Sequence, residues 1–414
     1  MSGPRQPAGE PRGERSGGGG DPAGREFLET PAGVAGAALP PRTAAEIPVL
    51  PGYAPKVTGF WIPKGEHEKS LALVRKMVDA TTDFSWLSRG DRVLLKLALN
   101  SGSPYPRTTD PWLLDSMIRI LQEKGARVVV GDSGGCGHVR WTPTEKKGSS
   151  RTLCRDTGLL SIIDQHGATA VFFEEQAYDS FLETLPSGTG HWKKPMRITS
   201  VVREVDHIIY LPRVSSHVLA DLTAGLKVGV GFLREDSRLA AHSGGGDFAA
   251  MFEEINHVPE IEGKVRLVAS SGRMIPTLVG PDMGPVATPD HGLFFASTDL
   301  LAHDLLAYAW VKWAREFMTS AEDHARDGVL TKARTTRNTS FLKSTWRLPE
   351  GAEIADLVYF QAGETGTIYD HPVMVNFMKR KGGRPERVDL EQLTANPSAA
   401  VVDYLKKEMR TPRP

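Results

Sequence analysis

The chain has 414 residues, 40% of them hydrophobic, with 50 basic and 50 acidic side chains and a formal net charge of zero. That length can bury large cores in two or three domains, and the balanced charge leaves no basic field to gather nucleic acid or an anionic lipid surface. Two cysteines, Cys136 and Cys154, are too few for a cysteine-ligated iron–sulfur cluster or a disulfide scaffold, and no apolar run is long enough to be a transmembrane helix.

From Met1 to Ala45 the chain is dominated by Gly, Pro, Ser, Ala and Arg, which predicts a disordered tail. Inside it, Gly24-Arg25-Glu26-Phe27-Leu28 followed by an Ala/Gly stretch resembles a twin-arginine export signal, with Gly24 in place of the first arginine and Pro31 interrupting the approach. Two locations follow from this, a cytoplasmic protein with a plain tail or one exported through a degenerate signal. The α/β pattern starts at Val57. A strand over Val57 to Ile62 precedes an amphipathic helix over Glu66 to Thr81. Arg92 to Leu99, RVLLKLAL, is a continuous apolar run suited to a strand covered on both faces, with a single lysine, Lys96. Asp110 and Pro111 announce the start of a helix over Trp112 to Lys124, which Gly125 ends.

Arg127 to Val130 is the next strand and completes a crossover unit of a parallel sheet. A helix around Arg151 to Gln165 and a strand over Ala168 to Phe173 follow, whereas Tyr178 to Thr199 gives no regular signal. Asp206 to Tyr210 reads as a buried strand stopped by Pro212, Asp247 to Ile255 as a helix and Val265 to Ala269 as a strand. Ser297-Thr298-Asp299 caps a long helix from Leu300 to Phe317. Ala321 to Arg337 reads as a charged, solvated helical excursion, Asp356 to Phe360 as a short strand, and Pro397 to Met409 as a terminal helix. The fold class is α/β, with mostly parallel sheets, flanking helices and two lobes over 46–272 and 273–414.

The candidate chemistry falls in loops at strand ends, where open α/β sheets bind ligands. Asp132, Gly134 and Gly135 follow a strand, and their loop can cradle a phosphate or part of a cofactor; Asp132 can equally be a metal ligand or a cap. The loop lacks the Lys-Ser/Thr of a nucleotide-triphosphate site. His138, a candidate acid/base residue, and Arg140, a candidate substrate-binding guanidinium, lie just beyond. His217 and Lys227 can reach one pocket if the chain forms a short helix and turns at Gly225, which pairs an acid/base group with an amine. His242 is a weaker candidate metal ligand, because no two of these histidines have the close spacing of a zinc motif. The plain reading of each histidine is a solvated loop or helix-end residue, and that of Lys227 is a helix-end cation.

Several segments together resemble the prokaryotic family called domain of unknown function 362. They are LLKLALN, TTDPWLLDSMIRILQEKGARVVVGD, VDHIIYLPRVSSHVLADLTAGLKVGVGF, RLAAH, and GPDMGP with ASTDLLAHDLLA, in order from Arg92 to Ala307. His217 and Lys227 keep the family pattern, whereas Arg213, Ser215 and Val228 depart from it, and the cysteine-rich ferredoxin module of many members has no counterpart here. A weaker likeness is to the lactate racemase family, which carries a nickel-pincer nucleotide on a lysine. This likeness implies His138 and His217 as paired acid/base residues, Lys227 as a cofactor anchor, and Arg107 in Pro106-Arg107-Thr108-Thr109 as a substrate-side arginine. The resulting expectation is an enzyme acting on a small anionic substrate by racemase- or epimerase-like chemistry, with a nickel-pincer nucleotide or a divalent metal as possible cofactor. The alternative is a noncatalytic protein that holds a metal or small anion.

Overall fold

The apolar runs along the chain lie side by side in one sheet. The computed structural model describes residues 44–66, 70–188, 190–217, 220–242, 247–278, 280, 282–326, 367–394 and 398–412. The strands of its main sheet are β1 (Lys56–Pro63), β2 (Arg92–Lys96), β3 (Arg127–Asp132), β4 (Thr169–Phe172), β5 (His207–Tyr210), β6 (Val265–Gly272), β7 (His291–Ser297) and β8 (Asp389–Gln392). Across the sheet they run β8-β1-β7-β6-β5-β2-β3-β4. Strand β7 is antiparallel to both neighbours, and the other five pairings are parallel.

Strand alternation explains the two covered faces, because neighbouring residues point to opposite sides. Val93, Leu95, Val128, Val130 and Ile209 pack beneath helices α1 (Ser70–Thr81) and α2 (Pro111–Glu123). Leu94, Val129, Ile208 and Tyr210 face the other way, against Phe232 and Phe252. Helix α2 starts as its sequence dictates, with the Asp110 carboxylate accepting from Trp112 N at 2.8 Å and Pro111 in the first turn. Asp299 likewise caps the long helix Leu300–Met318, accepting from Ala302 N at 3.0 Å.

Strands β7 and β8 come from beyond residue 272 and pair with β6 and β1 from before it, so the two stretches expected as lobes contribute to one sheet. The helix expected over 151–165 is two helices, Ser150–Asp156 and Leu159–Gln165, because Gly158 takes a φ of 81° between them. The first helix is described from Ser70, and the terminal helix spans Ala399–Glu408. The irregular stretch 178–199 holds a small antiparallel pair, Leu182–Thr184 with Met196–Ile198. Of the expected tail, residues 1–43 with the signal-like segment lie outside the described residues, whereas Ala44 is buried in a short 3-10 turn, Ala44–Glu46. The strand signal at 356–360 and residues 327–337 of the charged excursion also lie outside them; residues 321–326 are helical. Among the described residues, no helix is long and apolar enough to cross a membrane.

Candidate functional site

Parallel strands β2, β3 and β5 finish at one edge of the sheet with Lys96, Asp132 and Tyr210. Lys96 and Asp132 form an ion pair of 2.6 Å in which both side chains are buried. A lysine taken out of water in this way needs acceptors on every side. Lys96 finds two more in the carbonyls of Leu97 at 2.9 Å and Val228 at 3.0 Å. Asp132 in turn accepts from Leu99 N and Ser133 N, each at 2.7 Å. A side chain on Gly231 would run into this pair, with a Cβ 2.5 Å from Lys96 Nζ.

The glycine-rich loop after β3 uses its amides internally. Gly134 N donates to Ser150 Oγ at 2.7 Å, and Gly135 N donates to the Asn100 carbonyl at 2.8 Å. With the Ser133 amide on Asp132, the phosphate cradle expected at Asp132, Gly134 and Gly135 lacks these three donors. The Gly134 carbonyl also accepts from Arg238 Nη1 at 2.6 Å. These glycines let neighbours come close, since a Cβ on Gly134 would meet Leu153 at 2.6 Å and one on Gly135 would meet Asn100 Oδ1 at 2.6 Å.

Between His217 and Lys227 the chain forms a β-hairpin rather than the expected helix. Ser215–His217 pairs with Asp221–Thr223, and Lys227 then sits in a one-turn helix, Gly225–Val228, that begins at Gly225 instead of ending there. Tertiary contacts override the local preference. Asp221 adopts a φ of 56° while its carboxylate accepts from Tyr308 and, at 2.9 Å, from Arg315 Nη2. His217 Nδ1 accepts from Ala220 N at 3.2 Å, which fixes the imidazole against the hairpin.

The hairpin and the turn bring cations together. Burial drives the His217 pKa well below its ordinary value, and the charges of Lys227, Arg213 and His242 press it further down. Burial also lowers the Lys227 ammonium to about 7, with Arg213, Arg238 and Lys96 acting in the same direction against a smaller opposing effect of Cys136. The Lys227 side chain is partly buried, with Nζ 5.1 Å from the Phe252 ring centroid. Arg213 is buried and brought down to about 10 by burial. Its Nη1 donates to the Arg107 carbonyl at 2.6 Å, but its Nε has no acceptor among the described residues. Arg107 itself donates from Nη2 to the Gly284 carbonyl at 3.2 Å, and its Nη1 is a second buried donor without an acceptor among the described residues.

His138 joins the cluster through Asp282. Its Nε2 lies 3.8 Å from Asp282 Oδ2, and that carboxylate raises the imidazole pKa against the effect of burial. Asp282 also accepts from Ser101 Oγ at 2.6 Å and Asn100 Nδ2 at 2.9 Å. Burial pushes the Asp282 carboxyl up, but these donors, His138 and the Arg213 charge outweigh it and hold it at about 2. Arg140 faces Glu145 at 3.3 Å and Glu235 at 3.7 Å instead. His242 donates from Nδ1 to the Arg238 carbonyl at 2.6 Å, and burial lowers its pKa to about 4. Among the described residues, no three His, Cys, Asp or Glu side chains are grouped to hold a metal ion. A cofactor tethered through a lysine needs a reactive amine, and Lys227 fits that requirement chemically.

Sequence reasoning missed Arg238, Asp282 and Asn256. It read Arg213 only as a departure from a family pattern, and Lys96 only as a lone lysine in an apolar strand, although such a lysine demands a buried partner. A groove of about 630 Å³, with Val49, Arg384, Lys406 and Arg410 in its lining, lies away from these strand ends. A recess of about 20 Å³ bordered by Ser133, Cys136 and Arg238 adjoins the cluster.

Known proteins share parts of this chain. The thylakoid-associated protein sll1697 of Synechocystis is 25% identical over 145 residues, or 34% of this chain, and the match spans 39% of that relative's length. Among solved structures, the lactate racemase apoprotein of Thermoanaerobacterium thermosaccharolyticum aligns at a TM-score of 0.34 and 15% identity, over 61% of this chain and 58% of that one. A family model described as domain of unknown function (DUF362) matches residues 93–309, which takes in β2 to β7, the Lys96–Asp132 pair and the whole cationic cluster. With just over half of its length inside that match, the chain belongs to the DUF362 family.

Proposed function

We propose that the cationic cluster receives a small anionic substrate and that the protein is an enzyme moving a proton on it. The observation that carries this reading is the pair Arg213 and Lys227. Among the described residues neither forms an ion pair, and Arg213 Nε is buried without an acceptor. An unmet buried donor costs about 1–3 kcal/mol, which an incoming carboxylate or phosphate would offset.

The two histidines have environments that push them in opposite directions, the pattern of an acid and a base. Asp282 favours the protonated form of His138, whereas burial among cations favours neutral His217. In this reading His217 takes a proton at Nδ1 from the carbon beside the anionic group, releasing the Ala220 amide as it does so, and His138 returns one. Arg213, Lys227 and Arg107 hold the anion. Lys227 is also the residue that would anchor a tethered cofactor.

The test is proton exchange in deuterium oxide with a panel of 2-hydroxy acids and phosphorylated small acids, followed by mass spectrometry. Wild-type protein is expected to exchange the carbon-bound hydrogen of at least one acid, and His217→Ala and Lys227→Ala to abolish exchange while remaining folded. Binding without exchange would favour a noncatalytic anion carrier. No binding to any member of the panel would end the proposal.

A further inference from the structure

Ser270, His303 and Asp304 form a line of contacts with the spacing of a hydrolytic triad, yet all three are buried. His303 Nε2 lies 2.9 Å from Ser270 Oγ, and His303 Nδ1 lies 2.7 Å from Asp304 Oδ1. The serine is buried, and its hydroxyl lies within hydrogen-bond distance of both the Pro212 carbonyl, at 3.1 Å, and the imidazole, so it links the two. The far end of the line is equally committed. Asp304 Oδ1 accepts from Gly225 N at 2.7 Å, and Oδ2 accepts from Leu226 N at 2.8 Å.

The line thus joins two backbone segments. At one end is Pro212, next to Arg213; at the other are Gly225 and Leu226, next to Lys227. Two further buried contacts hold the same turn, Asn256 Nδ2 on the Leu226 carbonyl at 2.9 Å and Lys96 Nζ on the Val228 carbonyl at 3.0 Å. A Cβ on Gly225 would come within 2.8 Å of Asp304 Oδ1 and 3.3 Å of His303 Nδ1, so the turn and the line fit each other with no spare room.

We propose that Ser270, His303 and Asp304 are a brace that sets Arg213 against Lys227, with Asp304 as the positioning residue for the amine. The proposal rests on the anion-site reading above, in which the two cations must converge. Fixing both cations before the ligand arrives lowers the ordering cost of binding. The brace acts on backbone, so it orients both side chains without touching the anion.

Reductive methylation of the full-length protein by formaldehyde, with dimethylamine–borane as the hydride donor, read at Lys227 by peptide mass spectrometry across pH, tests this with neutral reagents that need no anion site. The charged and titratable groups facing Lys227 are Arg213, Arg238, Cys136, Lys96, His217 and His242, and all are kept in the variants. The wild-type midpoint is expected near neutrality. Asp304→Asn and Gly225→Ala are expected to raise it by about one pH unit or more, as the loosened turn hydrates the amine. Loss of the Asp304 charge alone would lower the midpoint, so an upward shift reports release of the turn. An unchanged or lowered midpoint in folded variants overturns the brace. Should Asp304→Asn fail to fold, Ser270→Ala serves in its place, with a smaller upward shift expected and no shift overturning the proposal. Failure of wild-type protein to bind phosphate or any 2-hydroxy acid, together with the upward shift, would sink the anion-site reading and leave the brace standing.

Discussion

Lys96 and Lys227 stand at the same sheet edge and meet opposite surroundings. Burial disfavours the charged form of both. Around Lys96 the protein replaces the lost water with Asp132 at 2.6 Å and the carbonyls of Leu97 and Val228. Around Lys227 it supplies the Phe252 ring and a set of like charges. The first lysine is therefore part of the framework, while the second is the one that the proposed function assigns to an anion. The two are coupled, since the Val228 carbonyl bound by Lys96 follows Lys227 directly in the chain.

The largest expected effect comes from making Lys96 resemble Lys227. Asp132→Ala leaves a fully buried ammonium without its carboxylate, and such a loss costs about 3–5 kcal/mol. Urea denaturation should show it, and a loss below about 1 kcal/mol would mean that the pair is not structural. Gly231→Ala attacks the same contact by crowding. The new methyl group would force Lys96 Nζ and Asp132 Oδ1 apart, so a loss of about 1–3 kcal/mol is expected by the same measurement. Unchanged stability there would show that the pair can shift without cost.

These contrasts explain which parts of the molecule were legible in the sequence. Strands such as Val128 to Val130 announce themselves because burial on both faces demands a continuous apolar run, and Asp110 with Pro111 marks a helix start through local bonds alone. The hairpin at His217 left no such mark. Its cause is Asp221 bonded to Tyr308 and Arg315, whose positions in the chain are more than eighty residues away. The site was legible in the same uneven way. His217 and Lys227 attract notice as reactive types in a strand-end loop, and the fold brings them into one cluster. Asp304 lies in the first turns of the long helix capped by Asp299, and nothing local shows that its carboxylate serves the amides of Gly225 and Leu226. Asp282, far along the chain, likewise acquires meaning only when the loop after β2 and His138 close around it.

The smallest expected effect is the mirror experiment, in which Lys227 loses its charge by Lys227→Met. With no ion pair to break among the described residues, the variant should be as stable as wild type or more so at neutral pH, by an amount on the order of 1 kcal/mol or less because the partly exposed amine keeps some water. Its sign must depend on pH. The folded-state pKa of about 7 lies below the ordinary 10.5, so between those values the unfolded chain carries a proton that the folded chain does not. Stability of the wild type attributable to this residue therefore rises with pH across that window. Below about 7 the cost of burying the charge is present in full, and above about 10.5 it is gone. The advantage of the methionine variant should shrink steadily as pH is raised from 7 to 10, measured as the difference in urea midpoints. A difference that stays constant, or grows with pH, would mean that Lys227 is neither buried nor crowded by cations, and the contrast with Lys96 would lose its basis.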